Sequence, residues 1–92
     1  MTRNGYELVI APTARRQLTE RLPESVAFAA YEFIVGPLLD NPHRVGKRFR
    51  PPLQDRHSAR RGTYRAIYRI DERRHRVTVV GVASRADAYR PH

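Results

Sequence analysis

Arginine side chains that could bind an anion are concentrated in the run HSARRGTYRAIYRID, residues 57–71. The run contains four arginines and no acidic residue before its last position: Arg60, Arg61, Arg65 and Arg69. A guanidinium group presents a planar set of donors that can pair with phosphate at two points and can stack on bases. Because like charges on neighbouring strands destabilise a sheet, this run predicts a bound anion that offsets the repulsion.

Other residue types that carry chemistry are sparse. The four histidines show neither HxH nor HxxxH spacing, so the sequence does not predict a metal site or a two-histidine nuclease. The chain has no cysteine, which excludes a disulfide framework, a thiolate metal site and a cysteine nucleophile. A glycine-rich phosphate loop and a nucleophile elbow are also absent from the sequence. An enzyme built from this sequence would therefore act through arginine, tyrosine or histidine.

Length and charge narrow the classes of partner. A chain of 92 residues predicts a single domain, residues 1–92, with a thin core. Lysine and arginine total 18 against 9 acidic residues, a formal net charge of +9, and Lys47 is the one lysine. Such an excess predicts binding to nucleic acid, to the ribosome or to an acidic protein. No apolar run reaches the roughly 18 to 20 residues that a membrane span needs, and we expect a soluble, cytoplasmic protein.

The elements that must position the arginines begin with a strand and two helices. The run YELVI, residues 6–10, predicts a β-strand. Apolar residues at a spacing of four over residues 14–22, and a broader apolar face over residues 24–35, predict two helices. Gly36-Pro37 predicts a kink or a short break, and Asn41-Pro42 predicts the end of the helical region.

The second half of the chain predicts a loop followed by a meander. Residues 43–55 show no clean period and contain Pro51-Pro52, so we interpret them as a basic loop. Three strands, residues 56–61, 64–70 and 76–83, are joined by short turns and are predicted to pair antiparallel. The last of them is the most apolar and is expected to lie centrally.

Alternation in the middle strand separates two faces. Tyr64, Ala66, Tyr68 and Ile70 share one face, and Arg65, Ile67 and Arg69 share the other. The first set can pack on the helices, which leaves the arginines on an open face. The sequence thus predicts an α+β fold, in which the N-terminal strand belongs to a four-stranded antiparallel sheet and a two-helix hairpin packs on one face of that sheet.

Two motifs then carry a family resemblance. The run SARRGTYRAIYRID, followed by VTVVGVASRADAYR, resembles the signature of RelE-type toxins of bacterial toxin–antitoxin systems, within the RelE/ParE superfamily. The specific parts are the Gly-x-Tyr-Arg turn and the closing Arg-x-x-x-Tyr. The predicted elements also follow the family's order over essentially the whole chain.

That resemblance implies an endoribonuclease, an mRNA interferase that cleaves mRNA in the ribosomal A site and so inhibits translation. It implies no metal and no cofactor, because the RNA 2′-OH attacks the adjacent phosphate. It also implies an acidic antitoxin that neutralises the toxin in a heterocomplex.

Site residues carried over from the family complete the prediction. Arg65 matches the arginine that grips the scissile phosphate, Arg85 an arginine near the leaving oxygen and Tyr89 the C-terminal tyrosine. Arg56 falls where some relatives have a catalytic lysine. We further assign four residues to RNA binding: Arg60, Arg61, Lys47 and Arg48.

Departures from the family pattern leave the acid–base assignment open. Ser58 and Ser84 stand where relatives often have other residues, and His57 is either an acid or a residue aimed at the helices. Tyr64 and Tyr68 read as core aromatics rather than stacking platforms. Two other functions fit the same fold: a ParE-type toxin that acts on DNA gyrase without cutting RNA, and a non-catalytic binder of rRNA or an acidic partner.

Overall fold

One mixed β-sheet organises the part of the chain that the computed structural model describes, residues 5–84. Its strands are β1 (Glu7–Ile10), β2 (Lys47–Arg48), β3 (Arg56–Arg61), β4 (Tyr64–Asp71) and β5 (Arg76–Ser84). They lie in the order β1-β5-β4-β3-β2. With helices packed on this sheet, the predicted α+β class is confirmed.

The sheet differs from the predicted four-stranded antiparallel one in its two edge strands. β1 pairs with β5 in parallel, with Glu7 opposite Arg76, whereas the other neighbours are antiparallel. Apolar alternation identifies a strand but carries no information on its direction, which explains the error. The fifth strand, β2, lies inside the predicted basic loop, residues 43–55, and is too short to produce a periodic signal.

Three helical segments precede β2. They are α1 (Pro12–Arg16), which continues as a wider π-helical turn (Gln17–Arg21), α2 (Glu24–Phe33), which continues in the same form (Ile34–Leu38), and α3 (Pro42–Val45). The helix passes Pro37, which lacks an N–H, in the wider form rather than breaking there. α3 corrects the start of the predicted loop, because Pro42 begins a helix instead of only ending one. None of these helices is long and apolar enough to cross a membrane.

Both long helices cover the same face of the sheet, with α1 packed on β5 and α2 on β4. The core residues are Ala14, Leu22, Ala30, Phe33, Ile34 and Leu38 from the helical region, and Ala59, Tyr64, Ala66, Tyr68, Val77, Val79 and Val82 from the sheet. The alternation predicted for β4 is confirmed, since Tyr64, Ala66 and Tyr68 are buried while Arg69 is exposed. β5 lies in the interior of the sheet, as predicted from its apolar sequence.

A β-bulge interrupts the ladder between β4 and β5. Ile67 pairs with Gly81, but the next residue, Tyr68, pairs with Val79, so β5 contains one extra residue at this point. The N–H of Val82 donates a hydrogen bond to the side-chain oxygen of Gln17 at 2.6 Å. Bulges bend a strand and increase its local twist. Here the bulge of β5 lies opposite the part of β4 between Arg65 and Arg69.

Candidate functional site

Two pairs of arginines lie directly opposite each other on neighbouring strands. Arg60 of β3 is opposite Arg65 of β4, and Arg56 of β3 is opposite Arg69 of β4. We call these the first arginine pair (Arg60–Arg65) and the second arginine pair (Arg56–Arg69). Because side chains alternate along a strand, all four project from the face that the helices leave uncovered. The open arginine face expected from the sequence is therefore present.

The charge of these arginines is not balanced within residues 5–84. The ion pairs found there involve other residues. The Nε atoms of Arg56 and Arg65 are buried and have no hydrogen-bond partner in that part of the chain. Like charges directly opposite each other are destabilising, on the scale of roughly 0.2–1 kcal/mol that such cross-strand pairs carry. An anionic ligand on this face would offset the repulsion and supply the missing acceptors.

The first arginine pair forms one side of an open cleft of about 500 Å³. Six cationic residues line it: Arg44, Lys47, Arg48, Arg60, Arg61 and Arg65. The structure thus brings the four residues assigned to RNA binding together with Arg65. A concave surface with this charge concentrates anions, and its size and openness suit a segment of a polyanion.

Strand β2 forms the other side of the cleft, and its close packing on β3 fixes its position. Lys47 pairs with Ser58 across the β2–β3 ladder. A side chain on the preceding residue, Gly46, would place its Cβ 2.9 Å from the Ser58 carbonyl oxygen and would also overlap the Tyr68 hydroxyl. That buried hydroxyl donates a hydrogen bond to the Pro42 carbonyl oxygen at 2.6 Å. Glycine at position 46 and tyrosine at position 68 therefore set where β2 lies.

Arg61 is anchored more firmly than the other cleft arginines. Its guanidinium donates hydrogen bonds to the carbonyl oxygens of Arg60, at 2.9 Å, and Val45, at 3.4 Å. The guanidinium carbon also lies 4.7 Å from the centre of the Phe33 ring, in a cation–π contact. Arg61 thus fastens β3 to α2 and to the end of α3, while its charge remains at the cleft.

His57 faces the helices rather than the cleft, which decides between the two orientations left open by the sequence. It is buried, stacks on Tyr68 with 5.5 Å between ring centres, and meets His43 edge-on at 5.9 Å. Burial lowers the pKa of His57, and the charges of His43 and Arg48 lower it further. A neutral imidazole on the helix side of β3 is poorly placed to protonate a leaving group beside Arg65.

Tyr64 and Tyr68 are core residues, as their shared face predicted. Burial raises the pKa of Tyr64, and it raises the pKa of Tyr68 to about 12. The Tyr64 hydroxyl is directed toward the Ala29 carbonyl oxygen at 3.4 Å. Neither phenol is suited to act as a base near neutral pH.

Comparison with known proteins assigns the chain with this cationic cleft to a family. No protein-family model matches the sequence. Over 85 residues the chain is 52% identical to the toxin RelE of Mycobacterium tuberculosis (strain ATCC 25618 / H37Rv), an alignment that covers 92% of this chain and 87% of that protein. The chain belongs to the RelE toxin family. The toxin RelG of the same organism is 46% identical over 85 residues, covering 92% of this chain and 97% of RelG.

A solved structure agrees with this placement in the RelE family. The toxin–antitoxin complex RelBE2 of Mycobacterium tuberculosis contains a chain that matches with a TM-score of 0.84 and 43% identity. The match covers 88% of this chain and 99% of that one. The strands and helices that frame the cleft therefore have counterparts in a crystal structure of the same family.

The catalytic residues expected from the RelE resemblance are only partly located. Arg65 lies in the cleft. Arg85 and Tyr89 lie outside residues 5–84, so their predicted roles stay predictions. Arg56 does not line the cleft and lies instead in the second arginine pair. Ser58 lines the cleft and carries no charge.

Sequence reasoning missed one cationic residue of the cleft and one cross-strand arginine pair in this RelE-family protein. Arg44 lines the cleft from α3, but it had been placed in an irregular loop, where no direction could be assigned to its side chain. The pairing of Arg56 with Arg69 depends on the register between β3 and β4. The turn at Gly62-Thr63 contained the signal for that register, because counting outward from a tight hairpin turn gives the opposite residues.

Proposed function

We propose that this RelE-family protein is a ribosome-dependent endoribonuclease that cleaves mRNA in the ribosomal A site and thereby inhibits translation in the cytoplasm. The observation that carries the proposal is the cleft around the first arginine pair, where six cationic residues converge and where Arg65 has a buried Nε without a partner in the described chain. A phosphodiester supplies the anionic oxygens that such donors require.

The chemistry proposed is attack by a ribose 2′-OH on its own adjacent phosphorus. A base removes the 2′ proton, the new bond to phosphorus forms, and the bond to the 5′ oxygen breaks. That oxygen takes up a proton, so the products are a 2′,3′-cyclic phosphate and a 5′-OH end. Negative charge increases on the phosphorane oxygens during this step, and preorganised guanidinium groups stabilise charge where it develops. We assign this role to Arg65, whose side chain lines the cleft, and to Arg85.

Tyr89 is the proposed general base. A tyrosine has an ordinary pKa of about 10, and nearby cations favour its phenolate form. A cleft with six cationic side chains is an environment of that kind. The alternatives within residues 5–84 are weaker, because Tyr64 and Tyr68 are buried and His57 faces the helices.

The remaining cationic residues of the cleft are proposed to hold the RNA strand. Arg60, Lys47 and Arg48 lie beside Arg65 and can contact phosphates on either side of the scissile one. The dependence on the ribosome follows from the openness of the site. An open cleft holds a flexible strand in many conformations, whereas in-line attack needs one near-attack geometry, and we propose that the ribosome supplies it.

An acidic antitoxin is the proposed protein partner. The structurally similar chain belongs to a toxin–antitoxin complex, and this protein combines a net charge of +9 with an uncovered arginine face. An acidic segment that orders on binding would neutralise the face and block the cleft. Expression of the protein alone should arrest growth, and co-expression with an acidic protein encoded beside it should restore growth. A harmless, soluble protein on overexpression would contradict this part of the proposal.

The nuclease proposal is tested with variants of its three proposed catalytic residues. Arg65→Ala, Arg85→Ala and Tyr89→Phe should each relieve growth arrest and abolish A-site breaks, while circular dichroism shows a folded protein. Arg16→Ala, which removes one charge from the exposed side of α1, is the matched control and should remain toxic. Full toxicity in all three variants would show that the site is misassigned.

The relatives reported above favour this reading over a gyrase-directed one, since both are RelE-type rather than ParE-type toxins. Growth arrest without mRNA breaks would reverse that preference.

A further inference from the structure

We infer that the second arginine pair, Arg56–Arg69, is a separate phosphate-binding subsite that holds the mRNA backbone at a phosphate remote from the scissile one. The inference rests on the proposed function, in which the first arginine pair contacts the scissile phosphate. It assigns a role to Arg69, which belongs to the arginine-rich run but is not among the predicted site residues and does not line the cleft. It also changes the role of Arg56 from a catalytic residue to a positioning residue.

The two pairs stand at opposite ends of one uncovered row of side chains. Arg69 follows Arg65 by four residues along β4, and Arg56 precedes Arg60 by four along β3. At a strand rise of about 3.3 Å per residue, the pairs are roughly 13 Å apart. That separation exceeds the distance between adjacent phosphates of one strand, so the pairs would contact non-adjacent phosphates. Between the two pairs Ser58 lies opposite Ile67, and neither residue carries a charge.

The second pair presents hydrogen-bond donors that lack acceptors within residues 5–84. The Nε of Arg56 is buried without a hydrogen-bond partner among residues 5–84, and neither arginine forms an ion pair in that range. Arg69 also lines an open cavity of about 650 Å³. Three further arginines line that cavity, Arg73, Arg74 and Arg76, and Arg76 is paired with Glu7 at 3.1 Å.

Asp55, Asp71 and Glu72 also line this cavity, but none of them forms an ion pair with Arg56 or Arg69 within residues 5–84. One Asp71 carboxylate oxygen accepts the backbone N–H of Arg74 at 3.2 Å. Glu72 accepts hydrogen bonds from the Tyr6 hydroxyl, at 2.9 Å to one oxygen, and from His43. Two guanidinium groups held opposite each other without a counter-ion cost stability, and a bound phosphate would offset that cost.

The ligand favoured is a single RNA strand rather than a small phosphate. Both arginine pairs lie on one face, which no helix of residues 5–84 covers, and the surface between them is partly apolar because of Ile67. An extended strand can place one phosphate on each pair and a sugar or base over Ile67. Two separate small anions would be needed to relieve both repulsions, whereas an RNA strand does so as one ligand.

Binding to an uncleavable RNA tests the subsite directly. The probe is a short single-stranded RNA with 2′-O-methyl sugars, which lacks the attacking 2′-OH, and the readout is its affinity over a series of salt concentrations. Loss of one phosphate contact lowers the slope of log K against log salt by about 0.7 for single strands. We expect that change for Arg69→Gln, a wild-type slope for Arg69→Lys, and a wild-type slope for the matched charge control Arg16→Gln. Equal slopes for Arg69→Gln and Arg16→Gln would overturn the inference.

The position of the contacted phosphate can be found with neutral linkages. A single methylphosphonate moved along the probe should weaken wild-type binding at one linkage that is not adjacent to the linkage most sensitive to Arg65→Gln. At that linkage the methylphosphonate and Arg69→Gln should be non-additive, because each removes the same contact. Additive losses at every linkage would contradict a direct contact.

Kinetics on programmed ribosomes separate this inference from the nuclease proposal. Arg69→Gln and Arg56→Gln should raise KM several-fold with little change in kcat, whereas Arg65→Gln should lower kcat. An Arg56→Gln variant that loses kcat to the same extent as Arg65→Gln would overturn the positioning role.

If wild-type protein cuts no ribosome-bound mRNA, the nuclease proposal fails, and the salt dependence of oligonucleotide binding alone decides whether the subsite exists. A wild-type slope in Arg69→Gln with weakened antitoxin binding would assign the pair to the protein partner instead.

Discussion

Replacement of Arg60 by glutamine should make the free protein more stable, although Arg60 lies in the proposed site. Arg60 is exposed and directly opposite Arg65, and it forms no ion pair within residues 5–84. Removing one charge ends a cross-strand repulsion of roughly 0.5 kcal/mol, the middle of the range for such pairs. For a domain of this size, that gain should raise Tm by about 2–4 °C.

The assay is thermal unfolding followed by circular dichroism at two ionic strengths. The screening length is about 30 Å at 0.01 M salt and about 3 Å at 1 M salt, so the gain should be present at low salt and absent at high salt. Arg16→Gln is the control for the general effect of a lower net charge, and only the excess of Arg60→Gln over this control reports the pair.

Addition of a polyanion should reverse the order of stability. A ligand that binds the native state stabilises it in proportion to its affinity, and the wild-type protein should bind a single-stranded RNA more tightly than Arg60→Gln. The wild-type protein should therefore gain more in Tm from saturating RNA. If Arg60→Gln is no more stable than Arg16→Gln at low salt, the two arginines do not repel each other and the reasoning about the open face is refuted.

Three further predictions concern the elements that hold the cleft in place. Gly46→Ala should destabilise the protein by about 1–3 kcal/mol in urea unfolding and weaken RNA binding, because the new Cβ meets the Ser58 carbonyl; an unchanged midpoint would contradict this. Tyr68→Phe should cost about 1–3 kcal/mol, since the Pro42 carbonyl loses its donor, and calorimetry would show whether Tm falls. Burial lowers the pKa of His57 in the folded state, so stability should be full above the ordinary value of 6.5 and should fall as the pH drops below it. His57→Gln should flatten that part of the pH profile, and an equally steep profile in the variant would assign the loss to other groups.

The features predicted correctly from the sequence are those with a local cause. Apolar alternation in β4 predicted Tyr68 in the core and Arg69 on the open face, because successive side chains of a strand point to opposite faces of the sheet. The apolar composition of β5 indicated an interior strand for a similar reason, since an edge strand could not bury so many valines. The open arginine face followed from these two elements.

The features that were wrong depend on contacts between residues far apart in sequence. The direction of β1 is fixed by pairing Glu7 with Arg76, 69 residues away, and no local pattern contains that information. β2 is two residues long and owes its position to the close approach of Gly46 to Ser58. These long-range contacts decide which cationic residues share a cleft, so the sequence did not predict that Arg44 lines it or that Arg56 does not.

Primer extension on a defined mRNA, carried by programmed ribosomes and incubated with the purified protein, tests the central claim most directly, with the same mRNA free in solution as the control. We expect breaks confined to the A-site codon, with a 5′-OH on the downstream fragment, and little or no cleavage of free mRNA. Rapid cutting of free mRNA would contradict the dependence on the ribosome. No breaks on ribosomes from a folded, growth-arresting protein would contradict the nuclease itself and would favour a gyrase-directed or purely binding toxin.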